Sequence, residues 1–274
     1  MATTTHPATR YLDLPGGRLA YDDTPGTGLP VVLLPGMLDS RTVYRHLRPL
    51  LAAAGHRVIT LDLRGFGESS IGWPDHSPAA LAGDVLALLD HLGIERAALA
   101  GNSYTGATVV KAAADAPERI AGIALIDAFV ENLPPTAAQR ALLKVLGLAL
   151  VHVPAAWGLY LDKAYPAAAR PADYAAYRAA SVAALRTPGR KGATRAYVTG
   201  DSSPVGWTAG VRCPALVLMG HQDPDFPDPE AVADRQAAAL TARKVMIDGA
   251  GHYPMADHPQ ATADALLPFL REVG

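Results

Sequence analysis

Short apolar runs alternate with helix-like segments along most of this 274-residue chain. The runs fall at residues 31–34, 58–61, 97–100, 120–126, 215–219 and 244–247. They are short and continuously apolar, as strands buried on both faces must be. Helix-like segments lie at 43–53, 79–92, 107–114, 230–240 and 259–271, and in the second of these Val85, Leu88, Leu89 and Leu92 share one side. A chain that keeps switching between these patterns is expected to form a mainly parallel sheet with helices on both faces. Residues 12–21 add two short strands around a Pro15-Gly16-Gly17 turn. Sheets of this kind carry their functional side chains on loops at the carboxyl ends of the strands.

The alternation stops near Phe129 and resumes after about Gly206. The segment between is rich in Ala, Tyr and Pro, has helical stretches near 137–150 and 173–185, and lacks a buried strand pattern. Residues 130–203 are therefore expected to be a helical cap over the carboxyl edge of one core built from 1–129 and 204–274. Half the residues are hydrophobic, enough for such a core. With 24 basic against 26 acidic residues and a net charge of −2, no basic face suits nucleic acid. The single cysteine, Cys213, excludes an intrachain disulfide and reads as a small apolar residue at a strand entry. Residues 1–10 are polar with no signal-type apolar region, and the longest apolar stretch, 145–151, is too short to span a bilayer. The expectation is a cytoplasmic protein, monomer or homodimer, without membrane or nucleic-acid partners.

Chemistry enters at Gly101-Asn102-Ser103-Tyr104-Thr105-Gly106, between the run 97–100 and the helix-like 107–114. A serine on a tight strand-to-helix turn stands clear of the backbone, and the helix behind it aims free N–H groups at any oxyanion formed there. Three further loops follow strand-like runs: Pro35-Gly36-Met37-Leu38-Asp39, Gly220-His221-Gln222-Asp223-Pro224, and Gly249-Ala250-Gly251-His252-Tyr253. A serine hydroxyl needs a base to take its proton, imidazole with a pKa of about 6.5 can do so, and an acid must orient the imidazole. Of the nine histidines, His252 alone sits in a glycine-flanked loop after a late strand. His221 is a lesser candidate for lining the site.

Four segments make the chain resemble the α/β-hydrolase family over nearly its whole length: Leu34-Pro-Gly-Met37, Asp62-Leu-Arg-Gly-Phe-Gly-Glu-Ser69, Gly101 to Gly106, and the pair ending at Asp223 and His252. The resemblance implies an eight-stranded sheet, a Ser103–Asp223–His252 triad, and an oxyanion hole made by the backbone N–H groups of Met37 and Tyr104. Asp127, after the run 120–126, is the competing acid, because some members take theirs from that loop. Asp225 and Asp228 read as solvated turn residues. The 62–69 loop is mainly structural in the family, with Arg64 and Glu68 expected to be exposed. Pro35 stands where many relatives carry histidine, and Thr105 replaces the second glycine of the elbow, where a β-branched residue crowds the turn unless the adjacent Gly106 and Ala107 leave room.

A serine nucleophile argues against the epoxide and haloalkane chemistry of relatives that attack with a carboxylate. The expected reaction is hydrolysis of a carboxylic ester, thioester or lactone through an acyl-enzyme, with no cofactor and no metal. A non-hydrolytic acyltransferase or cyclase, and a hydrolase-like receptor, are the alternatives. Phe129, Trp157, Tyr160, Phe226 and Tyr253 are candidate substrate-binding residues, which favours a largely apolar small molecule.

Overall fold

The computed structural model describes residues 7–130, 147, 150–200 and 206–274. Eight strands form one sheet: β1 (Arg10–Leu14), β2 (Gly17–Thr24), β3 (Gly28–Leu34), β4 (His56–Leu61), β5 (Ala97–Asn102), β6 (Ile120–Ile126), β7 (Ala215–Gly220) and β8 (Arg243–Ile247). Their spatial order is β1-β2-β4-β3-β5-β6-β7-β8. β2 pairs antiparallel with both β1 and β4, and the remaining pairs are parallel. The chain steps from β3 outward to β4, then returns to place β5 on the other side of β3. That reversal opens a crevice at the carboxyl ends of β3 and β5, where ligands of open α/β sheets bind.

The period of two along each strand divides the core. Val31 and Leu33, Ala98 and Ala100, and Ala124 and Ile126 face one layer, joined by Leu47 and Leu51 of α1 (Leu47–Ala53) and by Leu266, Phe269 and Leu270 of the last helix. Val32 and Leu34, Leu99, and Ile123 and Leu125 face the other layer. There they meet Val85, Leu88 and Leu89 of α2 (Pro78–His91), Val109 and Val110 of α3 (Thr105–Asp115), and Val232 and Ala233 of α7 (Pro229–Leu240). Two of these helices start on side-chain caps followed by proline. Ser77 accepts from Ala80 N at 3.3 Å ahead of Pro78, and Asp228 accepts from Ala231 N at 3.0 Å ahead of Pro229. The last helix, α8, spans Pro259–Val273.

Between β6 and β7 lie α4 (Ala155–Ala164), α5 (Tyr174–Ala184) and α6 (Arg190–Thr199), with no strand among the described residues. α5 matches the expected 173–185 stretch, whereas most of the 137–150 stretch lies outside the described residues. α4 and α6 are additions. Glycines at 158 and 192 and the β-branched Thr194 weaken their local helical signal, and packing of Trp157, Leu161, Ala193 and Tyr197 into the core supplies what propensity lacks. The expected 43–53 helix is split into a 3-10 turn, Arg41–Tyr44, and α1. Pro49 then falls in the first turn of α1, where its missing N–H has no intrahelical partner to lose.

The 62–69 loop is pinned rather than open. Arg41 binds Asp22 at 2.9 Å and also pairs with Asp62 and Glu68, while Arg48 holds the other Asp22 oxygen at 3.0 Å. Asp62 also accepts the N–H groups of Arg41 and Glu68 at 2.7 and 2.9 Å. Glu68 is exposed as expected, but Arg64 is half-buried, paired with Asp84 at 2.7 Å and lying 4.5 Å over Trp73. Among the described residues no helix is long and apolar enough to cross a membrane.

Candidate active site

Ser103 follows β5 directly with φ +55°, a left-handed conformation that costs a non-glycine residue about 1–3 kcal/mol. The local sequence permits it. A Cβ on Gly101 would come within 2.4 Å of Thr105 O, and one on Gly106 within 2.3 Å of Ala128 Cβ, so both glycines are required. Thr105 does not crowd the turn. Its side chain is fully buried, and its hydroxyl lies 2.9–3.0 Å from the carbonyl oxygens of Asn102, Leu34 and Pro35. It therefore ties the loop after β3 to the elbow. A Cβ on Gly36 would stand only 3.2 Å from Ser103 Cβ, which brings the backbone around Met37 up against the serine. Leu38 and Asp127, in the loops after β3 and β6, also have positive φ (+65° and +45°), so backbone strain clusters at this one end of the sheet.

His252 is buried in the loop after β8 and is held from both sides. Asn102 donates through Nδ2 to His252 O at 3.2 Å and to Ile126 O at 3.0 Å, tethering the histidine loop to the residue beside Ser103. His252 N donates to Ala164 O, at the end of α4, at 3.0 Å. The close approach requires Gly251, where a Cβ would fall 2.1 Å from Ala164 O.

Three carboxylates surround the ring. Asp223 Oδ2 lies 2.8 Å from His252 Nδ1, and Asp223 Oδ1 accepts Asp225 N–H at 2.9 Å. Asp225 Oδ2 lies 3.6 Å from His252 Nε2 and accepts the Tyr160 hydroxyl at 2.8 Å. Asp127 is fully buried, accepts Gly220 N–H at 2.9 Å through Oδ1, and has an oxygen within 4.8 Å of the facing Asp223 and His252 atoms. Burial alone would lower the imidazole pKa, but the charges of Asp223 and Asp225, the Asp223 hydrogen bond and Asp127 push it up to about 10. Burial raises the Asp223 pKa, yet His252 outweighs this and leaves it below the ordinary value. Asp127 is driven the other way, well above its ordinary value, first by burial and then by the neighbouring Asp223 charge. The two acids differ because only Asp223 holds the imidazole nitrogen.

Each described helix between β6 and β7 rests on a different core loop. α4 supplies Ala164 and Tyr160 to the histidine side. From α5, the Tyr177 hydroxyl donates to Asp39 in the loop after β3, and Asp173, just before α5, pairs with Arg45 at 2.6 Å. From α6, Tyr197 donates to Arg64 O at 3.1 Å, and Arg190 donates to Gly67 O at 2.8 Å.

The aromatic candidates fall around His252. Its ring centroid is 6.2 Å from Phe129, 6.3 Å from Tyr160 and 5.2 Å from Tyr253. Phe226 packs on Phe129 at 4.8 Å, and Trp157 stacks on Tyr160 at 4.9 Å. Phe129 remains 43% exposed, an unusual state for a large apolar ring. Tyr104, beside the serine, is buried, and its hydroxyl donates to His76 O at 3.0 Å. Met37 is half-buried against the core. His221 turns outward to Asp248 at 2.6 Å, away from the site.

Asp225 is the residue that sequence reasoning missed. It was expected to be a solvated turn residue, but its side chain is only 22% exposed and faces the far nitrogen of His252. No local pattern marks it, because its partners come from α4 and from the loop after β8. Asp228, the other turn candidate, caps α7.

Residues 30–259 match the model of the alpha/beta hydrolase fold. Epoxide hydrolase A of Mycobacterium tuberculosis is 27% identical, over 96% of this chain and 97% of its own length. A putative non-heme haloperoxidase of Mycobacterium phage D29 is 40% identical over 38% of each chain. The structure of a thermophilic esterase from Thermogutta terrifontis superposes with a TM-score of 0.82 at 26% identity, over 97% of this chain and 99% of that one. With the eight-stranded sheet, the strained serine turn and a family match spanning most of its length, the chain belongs to the alpha/beta hydrolase fold family.

Proposed function

We propose that this protein is a serine hydrolase that cleaves a carboxylic ester, thioester or lactone of a largely apolar small molecule through an acyl-enzyme. Ser103 is the nucleophile, His252 the base, Asp223 the acid that orients it, and the N–H groups of Met37 and Tyr104 form the oxyanion hole. The observation that carries the reading is the 2.8 Å contact of Asp223 Oδ2 with His252 Nδ1, in a loop tethered through Asn102 to the residue beside Ser103. Residues 130–203 act as the cap, and Phe129, Trp157, Tyr160, Phe226 and Tyr253 form the apolar wall of the binding site.

In the first half-reaction Ser103 Oγ attacks the acyl carbon while His252 Nε2 takes the hydroxyl proton. The carbonyl oxygen becomes an oxyanion facing the two backbone donors, each worth about 3–4 kcal/mol in such sites. His252 returns the proton to the leaving alcohol, thiol or ring oxygen, and an acyl-Ser103 ester remains. Water then repeats the sequence and frees the acid. Asp223 is favoured over Asp127 because it bonds the ring nitrogen, whereas Asp127 accepts Gly220 N–H. Ser103 at the elbow argues against epoxide opening through a covalent carboxylate ester formed at that position.

Fluorophosphonate labelling with peptide mapping tests the assignment. Rapid modification at Ser103, lost in Ser103→Ala and His252→Ala with the fold retained, is expected, together with turnover in a panel of esters, thioesters and lactones. Wild-type-like turnover in either variant sinks the nucleophile and base roles. A larger loss in Asp127→Asn than in Asp223→Asn reverses the choice of acid.

A further inference from the structure

We infer that Asp225, clasped by Tyr160 of α4, is a positioning residue for His252: a second carboxylate partner, on the Nε2 side, that holds the ring as an imidazolium and so sets the pH range of the reaction. The inference rests on the base role proposed for His252. Asp223 alone accounts for the orientation of the ring, since it occupies Nδ1 at 2.8 Å. Asp225 stands at the opposite nitrogen, the one that must exchange a proton with Ser103, at 3.6 Å. It is not a loose turn residue. Its backbone N–H is fixed to Asp223 Oδ1 at 2.9 Å, and its Oδ2, the oxygen facing His252, takes the Tyr160 hydroxyl at 2.8 Å.

The groups facing His252 can be named element by element. Asp223 and Asp225 come from the loop after β7, Asp127 from the loop after β6, Tyr160 from α4, and Tyr253 from the histidine loop itself. Of the two carboxylates in direct reach of a ring nitrogen, Asp225 alone faces the reacting one. Its negative charge acts twice. In the resting enzyme it favours the protonated ring, which cannot accept the Ser103 proton. In the transition state the same charge stabilises the imidazolium that forms. The balance predicts a characteristic trade. Removing the charge yields a weaker base that is available at lower pH.

The test is the pH dependence of Ser103 labelling by a fluorophosphonate, with the His252 ring titration followed in parallel by NMR on isotope-labelled protein. Even at the dielectric of bulk water, a charge 3.6 Å away shifts a pKa by about one unit. Asp225→Asn is therefore expected to lower the His252 titration and the labelling midpoint by at least about one unit. Its rate should exceed wild type by severalfold below the wild-type midpoint and fall below it on the alkaline plateau, so that the two profiles cross. Tyr160→Phe keeps the charge and should move the titration less. Asp225→Ser repeats the charge removal with a smaller side chain, should the asparagine variant fold poorly. A uniform loss of rate with an unmoved titration overturns the inference and leaves Asp225 a structural residue. Failure of the serine-hydrolase reading is separable, because wild type would then resist labelling at every pH while the NMR titration still reports the effect of Asp225.

Discussion

Thr105→Val isolates the one hydroxyl that joins the elbow to the loop after β3. The substitution keeps volume and branching but removes a donor lying 2.9–3.0 Å from three carbonyl oxygens. One proton serves those three acceptors, so one hydrogen bond is lost, worth about 1 kcal/mol net. Leu34 O keeps a second donor, the Tyr44 hydroxyl at 2.7 Å, so the deficit falls on Pro35 and Asn102. Leaving a buried carbonyl short of its donor adds about 1–2 kcal/mol, and a methyl held 3 Å from oxygens pushes the loop outward. The expected destabilisation is about 2–3 kcal/mol in urea denaturation. Because the Gly36 backbone packs against Ser103, the shift also moves the proposed Met37 donor. A complete loss of such a donor costs about 3–4 kcal/mol, so a partial misplacement is expected to lower kcat about tenfold with little change in KM. The assay is hydrolysis of p-nitrophenyl acetate, with Thr105→Ser as the control that retains the hydroxyl. A Thr105→Val protein within about 0.5 kcal/mol and twofold of wild type would refute the role given to this bond.

Two further outcomes follow from packing and charge. Gly106→Ala places a Cβ 2.3 Å from Ala128 Cβ and is expected to cost about 1–3 kcal/mol, with Gly106→Ala/Ala128→Gly recovering much of it; a double variant no more stable than the single one contradicts the clash. Burial lifts the Asp39 carboxyl from 3.8 to about 6, against the Tyr177 hydroxyl and the Ser40 N–H, which favour its charged form. An acid whose folded pKa is raised contributes full stability below its unfolded value and loses it as pH climbs through the folded one, here about 3 kcal/mol by pH 8. Urea midpoints of Asp39→Asn relative to wild type should therefore improve between about pH 4 and pH 8, and a constant difference over that range counts against a neutral Asp39.

The strands were legible because burial on both faces leaves a continuous apolar run, and the runs at 97–100 and 120–126 sit inside β5 and β6. The elbow was legible because its requirement is local: glycines at 101 and 106 leave room that no other residue would. α4 and α6 were missed for the opposite reason. Their stability comes from docking Trp157, Leu161, Ala193 and Tyr197 on the core, which no propensity records. How Thr105 is accommodated was not legible from its own shape, since what receives its hydroxyl is a set of carbonyls at the end of β3 and just after it.

Sequence by itself determined the class of fold, the strand-ending loops and the residue types available for chemistry, because periodicity and glycine placement report burial and backbone shape directly. Only the tertiary structure decided which acid meets which nitrogen. Asp127, Asp223 and Asp225 differ in sequence only by position, yet one accepts a backbone N–H, one holds Nδ1 and one faces Nε2. That distinction depends on β6 and β7 lying side by side, on the β8 loop folding over them, and on α4 delivering Tyr160 from 65 residues away. Carboxylate chemistry is set by distances of a few ångströms between such segments, and those distances exist only once the sheet has ordered its strands.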